Sequence, residues 1–313
     1  MYLAPFIAFC LCATVLAVSS QAAQPIRVLY FTKSSGWEHS VVKQERGRPS
    51  YSERVLAQFA AGQDIVFTFS KDGSLFGPDY FTRFDVILFY TSGDLCSVGT
   101  DGQPAVTPAG KQALLDAVAG GKGFVGLHSC SDTWHTQEQG GGNNSARTPR
   151  FKNHGDEADP FVKMLGGEFI RHGPQQVATA RVVSPGFPGF EKLGTELRVM
   201  EEWYALKEFA PDLHVQLVLK TEGLEGSDYA RPDFPIAWAR LHGKGRVAYN
   251  ALGHREDTWE SAAFQAMLVG AIRWTAGRVS ADLTPNLGQV APGSATLPKP
   301  PVESAKRGSV TSD

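Results

Sequence analysis

The sequence predicts an α/β protein built on a buried parallel sheet flanked by helices, with antiparallel additions in its second half. Three observations carry this. Ile26 to Thr32, Ile65 to Phe69, Phe84 to Tyr90 and Gly123 to Leu127 are short, mostly apolar runs, the way strands buried on both faces read. Helical stripes lie between them in a β-α-β-α-β order, which implies right-handed crossovers. Past residue 175 the helical spacing gives way to closely spaced strands.

Each element has a local reason. Ser50-Tyr-Ser-Glu53 is a capping box, and Val55, Leu56, Phe59 and Ala60 form the stripe that follows, closed by Gly62. Thr107-Pro108 places a cap before a proline at the first helical position. Leu114, Leu115 and Val118 give that helix its buried face, and Gly120-Gly121 ends it. Asp159 to Leu165 reads as a short helix stopped by Gly166-Gly167. Strands are expected at Gln176–Val183, Leu197–Leu206, Val215–Lys220, Pro235–Leu241 and Arg246–Leu252. The last two flank His242-Gly-Lys-Gly245, a hairpin turn. Thr258 opens an amphipathic helix carrying Phe264, Met267, Leu268 and Ile272 that ends near Gly277. Residues 131–157 interrupt the rhythm, and Gly140-Gly-Gly-Asn-Asn-Ser-Ala marks a long exposed loop.

The chain has 313 residues, 42% of them hydrophobic and 20% charged, with a formal net charge of −2. No long basic run is present, which argues against nucleic acid as a partner. Residues 1–23 read as a cleaved export signal, with an uncleaved anchor as the rival reading: Phe6 to Val18 is apolar and Ser20-Gln21-Ala22 supplies small residues at a cleavage site, but no Lys or Arg precedes the apolar run. Export implies a periplasmic or secreted protein, with no membrane segment left after cleavage. Residues 24–279 form one domain. Residues 280–313, rich in Pro, Ser, Ala and Gly, are expected to be a disordered or loosely packed tail. Cys96 and Cys130 then remain, and two readings stay open: a disulfide, or two buried thiols.

Four of the eight histidines sit at loop–strand boundaries: His39, His128, His172 and His254. His128 ends an apolar strand, where open α/β sheets place their chemistry. It also occupies the strand-to-helix corner that a nucleophile elbow would use, yet imidazole is a poor covalent nucleophile for hydrolysis. Ser129 or Cys130 would serve only if the corner were displaced. His135, His154, His214 and His242 carry no such context. Glu201-Glu202 lies within a predicted strand, where alternation sends Glu202 and Tyr204 to one face and Glu201 to the other. A buried carboxylate needs a partner, so one of the pair calls for a cation, a histidine or a metal. Imidazole with carboxylate serves acid–base chemistry and binds divalent metals such as Zn²⁺. No local ligand motif is present, so a metal would require distant positions to converge. Trp37 and Trp203 are candidates for an aromatic wall against a sugar ring.

Taken together, Gly36-Trp-Glu-His39-Ser, Gly126-Leu-His128, Arg171-His172-Gly-Pro, Glu201-Glu-Trp-Tyr204 and Pro235-Ile-Ala-Trp-Ala-Arg with Gly243-Lys-Gly-Arg-Val-Ala-Tyr-Asn-Ala-Leu-Gly-His254 resemble the ThuA-like, trehalose-utilisation family. The likeness runs from about residue 26 to 277. It implies a flavodoxin-like sheet similar to class I glutamine amidotransferases. It also implies loss of the amidotransferase cysteine, since His128 stands at its position. The resemblance further implies a role in using trehalose and related disaccharides through 3-keto forms. His39, His128, Glu202, Tyr204 and His254 fall on the family's motif positions, and so does His172.

The reading is therefore a sugar-processing protein of carbohydrate catabolism. Glu202 and His128 or His254 exchange protons with a hydroxyl or carbonyl, and His39 orients the substrate or the partner imidazole. His172, Tyr204, Trp37 and Trp203 hold the substrate, a small-molecule sugar. Two alternatives stand beside it: a non-catalytic carbohydrate-binding or scaffold protein, and a metal-dependent hydrolase.

Overall fold

The computed structural model describes residues 24–136 and 150–300. Residues 1–23, for which an export signal is expected, the glycine-rich part of the 131–157 loop and the last thirteen residues of the chain lie outside these.

Five strands run parallel, in the order β2 (Ile65–Ser70), β1 (Ile26–Phe31), β3 (Val86–Phe89), β4 (Gly123–Leu127) and β11 (Gly245–Asn250). Pairing in register is parallel throughout this half. The sheet then continues antiparallel through β10 (Phe234–His242), β9 (His214–Leu219), β6 (Gln176–Val182) and β7 (Glu196–Glu201). The parallel half follows the flavodoxin-like order, with the fifth place taken by a strand from the far end of the chain. A second sheet of two antiparallel strands, β5 (Glu168–His172) and β8 (Tyr204–Lys207), stands apart.

Helices cover both faces. On one lie α1 (Tyr51–Ala60), α5 (Glu256–Glu260) and α6 (Ala262–Thr275); on the other α2 (Pro78–Thr82), α3 (Pro108–Ala119) and α4 (Pro160–Leu165). The caps are those written in the sequence. Ser50 and Glu53 close a reciprocal capping box, and Thr107 and Asp159 accept from the first turns of α3 and α4. Gly166 ends α4 at φ 85°, a conformation glycine adopts without strain.

Three boundaries differ from expectation. The strand expected over 197–206 is two strands, because the chain turns at Glu202 and Trp203 and changes sheets. The C-terminal helix begins at Glu256 and breaks at Ser261, which holds extended φ and ψ of −66° and 125°. The segment from 280 to 300, expected as a loose tail, is fastened to the domain. Asn286 Oδ1 accepts the Val215 N–H at 2.7 Å, Arg231 donates to the Ser294 carbonyl at 2.6 Å, and Ala291 is buried. Near it lies a short helix, α7 (Leu287–Val290). Cys96 and Cys130 are both free thiols.

Candidate functional site

Strands β1, β4 and β11 are parallel, so the residues just past their carboxyl ends gather on one edge of the sheet. His128 and His254 arrive this way, and His39 comes in on the loop that follows β1, eight residues past Phe31. The turn after β7 brings Glu202 to the same place from the antiparallel half.

His128 begins a 3₁₀ turn at φ 41°, a left-handed conformation costly for a residue with a Cβ. The corner is closely packed: a Cβ on Gly126 would lie 2.8 Å from the Cys130 sulfur. Nδ1–H of His128 donates to the Ala251 carbonyl at 2.8 Å, which aims Nε2 at the site. Nε2 stands 3.6 Å from Glu202 Oε2 and 3.3 Å from His254 Nδ1. His254 Nδ1 is 3.1 Å from the same carboxylate oxygen. His172 Nδ1 approaches the other oxygen at 3.4 Å. His39 packs edge-on against both His128 and His254, with ring centroids 5.0 and 5.2 Å away. Its Nε2 lies 3.3 Å from the Tyr204 hydroxyl.

The turn carrying His254 is clamped. Glu201, fully buried, accepts the N–H groups of Gly253 and His254 on one oxygen, at 2.9 and 2.6 Å, and the Thr258 hydroxyl on the other at 3.0 Å. The Gly253 carbonyl accepts from Tyr90 and Trp259. Gly253 itself sits at φ 122°, which favours glycine. On the far side, Gln175 bridges Arg255 and the outer nitrogen of His254.

Electrostatics follow from this packing. Burial alone would raise the Glu202 pKa, but hydrogen bonds and charge from His128 and His254 outweigh it and hold the carboxyl well below its usual range. Burial lowers His254, yet Glu202 outweighs it and the net shift is upward. His39 goes the other way: burial first, then the neighbouring imidazoles, hold it well below the usual histidine value. Burial raises Glu201 above the ordinary carboxylate range. One glutamate thus faces three imidazoles as an anion, while its neighbour is a buried acceptor for backbone N–H groups.

Above the cluster opens a cavity of about 640 Å³, within the usual size of small-molecule sites. Trp37, Lys43, Asp132, Phe169, His172, Gln175 and Tyr204 line it together with His39, Glu202 and His254. Trp37 is 74% exposed at the rim. His128 lies beneath, fully buried. Tyr204 is wedged between Phe169 and His128, at centroid distances of 4.1 and 4.2 Å.

Trp203 does not join them. Its indole is buried and donates to the Gln176 carbonyl at 2.8 Å, so the turn that sends Glu202 into the pocket sends Trp203 into the core. Cys130 is fully buried, and burial raises its pKa, which leaves no thiolate for a displaced elbow. His214 and His242 lie on the antiparallel strands, away from the cavity. Three contributors have no signal in composition. Glu201 acts through backbone groups, Gln175 through another side chain, and Asp132 comes in on the 3₁₀ turn begun by His128. The weak cue for Asp132 was its place four residues past the elbow.

Among solved structures, the chain is similar to a ThuA-like protein from Bacteroides uniformis, with 20% identity, a TM-score of 0.56 and coverage of 82% of this chain and 94% of that one. It is also similar to a ThuA-like protein from Parabacteroides merdae, with 19% identity, a TM-score of 0.50 and coverage of 82% and 92%. At these identities the likeness shows the fold. No curated protein matches the chain at a significant level. The family model for ThuA, described as trehalose utilisation, matches residues 27–275, which supports a carbohydrate-related role. By that match, over most of its length, the chain belongs to the ThuA family.

Proposed function

We propose that this protein processes a disaccharide or a 3-keto sugar in the cavity above Glu202. The observation that carries the reading is the meeting of Glu202 with three imidazoles at the floor of a cavity large enough for a sugar. An imidazole raised above its usual value by an anionic carboxylate 3.1 Å away is suited to proton exchange, with Glu202 supporting its charge. In this reading, a hydroxyl or carbonyl of the sugar takes its place against Glu202 and His254. His128, locked in its tautomer by the Ala251 carbonyl, supports their charge. His39 and Tyr204 orient the ring from one side, and His172 does so from the other. Trp37 offers an apolar face to the sugar at the rim. Family membership supports the substrate class. The apolar run from Phe6 to Val18, followed by Ser20-Gln21-Ala22, supports export as part of the same proposal.

The test is incubation of the full chain with a panel of disaccharides and their 3-keto derivatives, read by mass spectrometry. Conversion of at least one member is expected, with a loss of about a hundredfold or more in Glu202→Gln and His254→Ala. Full turnover by both variants would overturn the assignment of these residues. Saturable binding of a sugar with no product, across the whole panel, would identify a carbohydrate-binding protein instead.

A further inference from the structure

The distances among the three innermost polar atoms fit a metal site. His128 Nε2 to His254 Nδ1 is 3.3 Å, His254 Nδ1 to Glu202 Oε2 is 3.1 Å, and His128 Nε2 to Glu202 Oε2 is 3.6 Å. A tetrahedral Zn²⁺ with ligand bonds of about 2.0–2.1 Å has edges of about 3.3 Å between neighbouring ligand atoms. The three separations bracket that edge. His39 belongs to the same group, with its ligand atom within 4.8 Å of the other three. The side chains are 0%, 12% and 18% exposed for His128, Glu202 and His254.

Hydrogen bonding among these atoms is less satisfactory than coordination. His128 Nδ1–H is committed to Ala251, so a neutral imidazole turns a lone pair towards Glu202 and His254. Glu202 contributes lone pairs only. A single N–H on His254 would have to serve both a carboxylate oxygen and an imidazole nitrogen. A cation at the centre satisfies all three at once. The outer contact of His128 fits as well, since a metal-ligating histidine ordinarily donates its other N–H to a carbonyl or similar acceptor. Ala251 does this for His128. Ligation through His254 Nδ1 places that ring's proton on Nε2, so its contact with the Gln175 amide nitrogen has to rearrange, because the Gln175 oxygen accepts from Arg255.

We propose that His128, His254 and Glu202, with His39 beside them, bind one divalent transition-metal ion of the Zn²⁺ type. The set of two imidazoles and a carboxylate is the donor class such ions prefer. The inference deepens the sugar reading and rests on it only for the chemistry served: a seated ion would polarise a sugar oxygen, and Glu202 would act as a ligand in place of a proton acceptor. Occupancy of the site is independent of the substrate.

The full chain, purified without chelators, is measured for metal by elemental analysis, then stripped and titrated with Zn²⁺ and with Co²⁺. About one equivalent is expected, with the visible absorption of four-coordinate Co²⁺. Glu202→Gln and His254→Ala are expected to lose affinity at least tenfold, while His242→Gln, on the hairpin between β10 and β11, keeps it. Circular dichroism establishes that each variant is folded. Less than about 0.1 equivalent after Zn²⁺ incubation would overturn the proposal, as would tight binding unchanged in both site variants. Sugar turnover by metal-free protein would overturn the ion's part in the chemistry and leave the sugar reading standing. A metal-loaded protein inert to every sugar would do the reverse.

Discussion

Glu201 Oε1 accepts the backbone N–H of His254 at 2.6 Å, so the glutamate beside Glu202 fixes the very turn that presents an imidazole to Glu202. Two adjacent carboxylates divide the work, one holding backbone and one facing the cavity. Glu201→Ala strands two buried N–H groups and the Thr258 hydroxyl, and unsatisfied buried groups cost about 1–3 kcal/mol each. A loss on the order of 3 kcal/mol is expected by urea denaturation. Glu201→Gln keeps an oxygen for the two N–H groups and should lose far less. An alanine variant as stable as the native chain would refute the clamp.

The positive φ of His128 makes a prediction separate from chemistry. At 41°, a Cβ is strained and glycine is not. His128→Gly should therefore be more stable than His128→Ala by about 1 kcal/mol, although both remove the same imidazole. Equal midpoints and slopes in denaturant would show that the corner relaxes in the absence of the ring.

A second polar cluster sets an acid dependence of stability. Glu168 lies 2.9 Å from His135 Nδ1 and 3.2 Å from Lys207 Nζ, and His135 Nε2 meets Asp132 at 2.5 Å. Arg150 also approaches Asp132, at 3.6 Å. Burial would raise Glu168, but His135 and Lys207 prevail and bring it from 4.5 down to about 2. Burial would lower His135, but Asp132 and Glu168 prevail and raise it above 6.5. The depressed carboxylate contributes fully above about pH 4.5, and its contribution is lost as pH falls towards 2. The raised imidazole contributes fully below about pH 6.5 and is lost as pH climbs through its folded value. The difference in stability between the native chain and Glu168→Gln should thus peak near pH 5–6, on the order of 3 kcal/mol. It should shrink by pH 3. A difference that stays constant with pH would exclude Glu168 as the source.

Trp37 tests the rim. With its indole 74% exposed over the cavity, it has few contacts to lose on truncation, so Trp37→Ala should leave stability within about 0.5 kcal/mol. Its effect belongs on binding: KM for a converted sugar should rise several-fold with kcat little changed, the signature of uniform binding. A fall in kcat at constant KM would move Trp37 from the wall to the reacting centre.

Much of the fold was legible because its cues are local. Ser50-Tyr-Ser-Glu53, Thr107-Pro108 and Asp159 with Gly166 cap helices through groups within a few residues of each other. The apolar runs ending at Thr32 and at His128 could hardly pack other than inside a parallel sheet. Element ends were less legible where a distant partner decides them. Alternation assumed one strand through Leu197–Leu206, but β8 pairs with β5 instead of continuing beside β6. β5 itself is a short segment that only this pairing makes a strand.

By itself, the sequence determined the α/β class, the placing of three histidines just past strand ends, and the likeness that brings Glu202 into their company. These follow from periodicity, caps and motif residues, all read along the chain. Only the tertiary structure decided that Glu202 and Trp203 part company, that Glu201 holds the His254 turn, and that Asp132 and Gln175 reach the cavity. It also set the 3.1–3.6 Å spacing of His128, His254 and Glu202. The physical reason is that these relations join residues 50 to more than 120 positions apart. Such distances are fixed by which strands lie side by side and where the chain leaves the sheet, and a linear pattern of side chains carries neither.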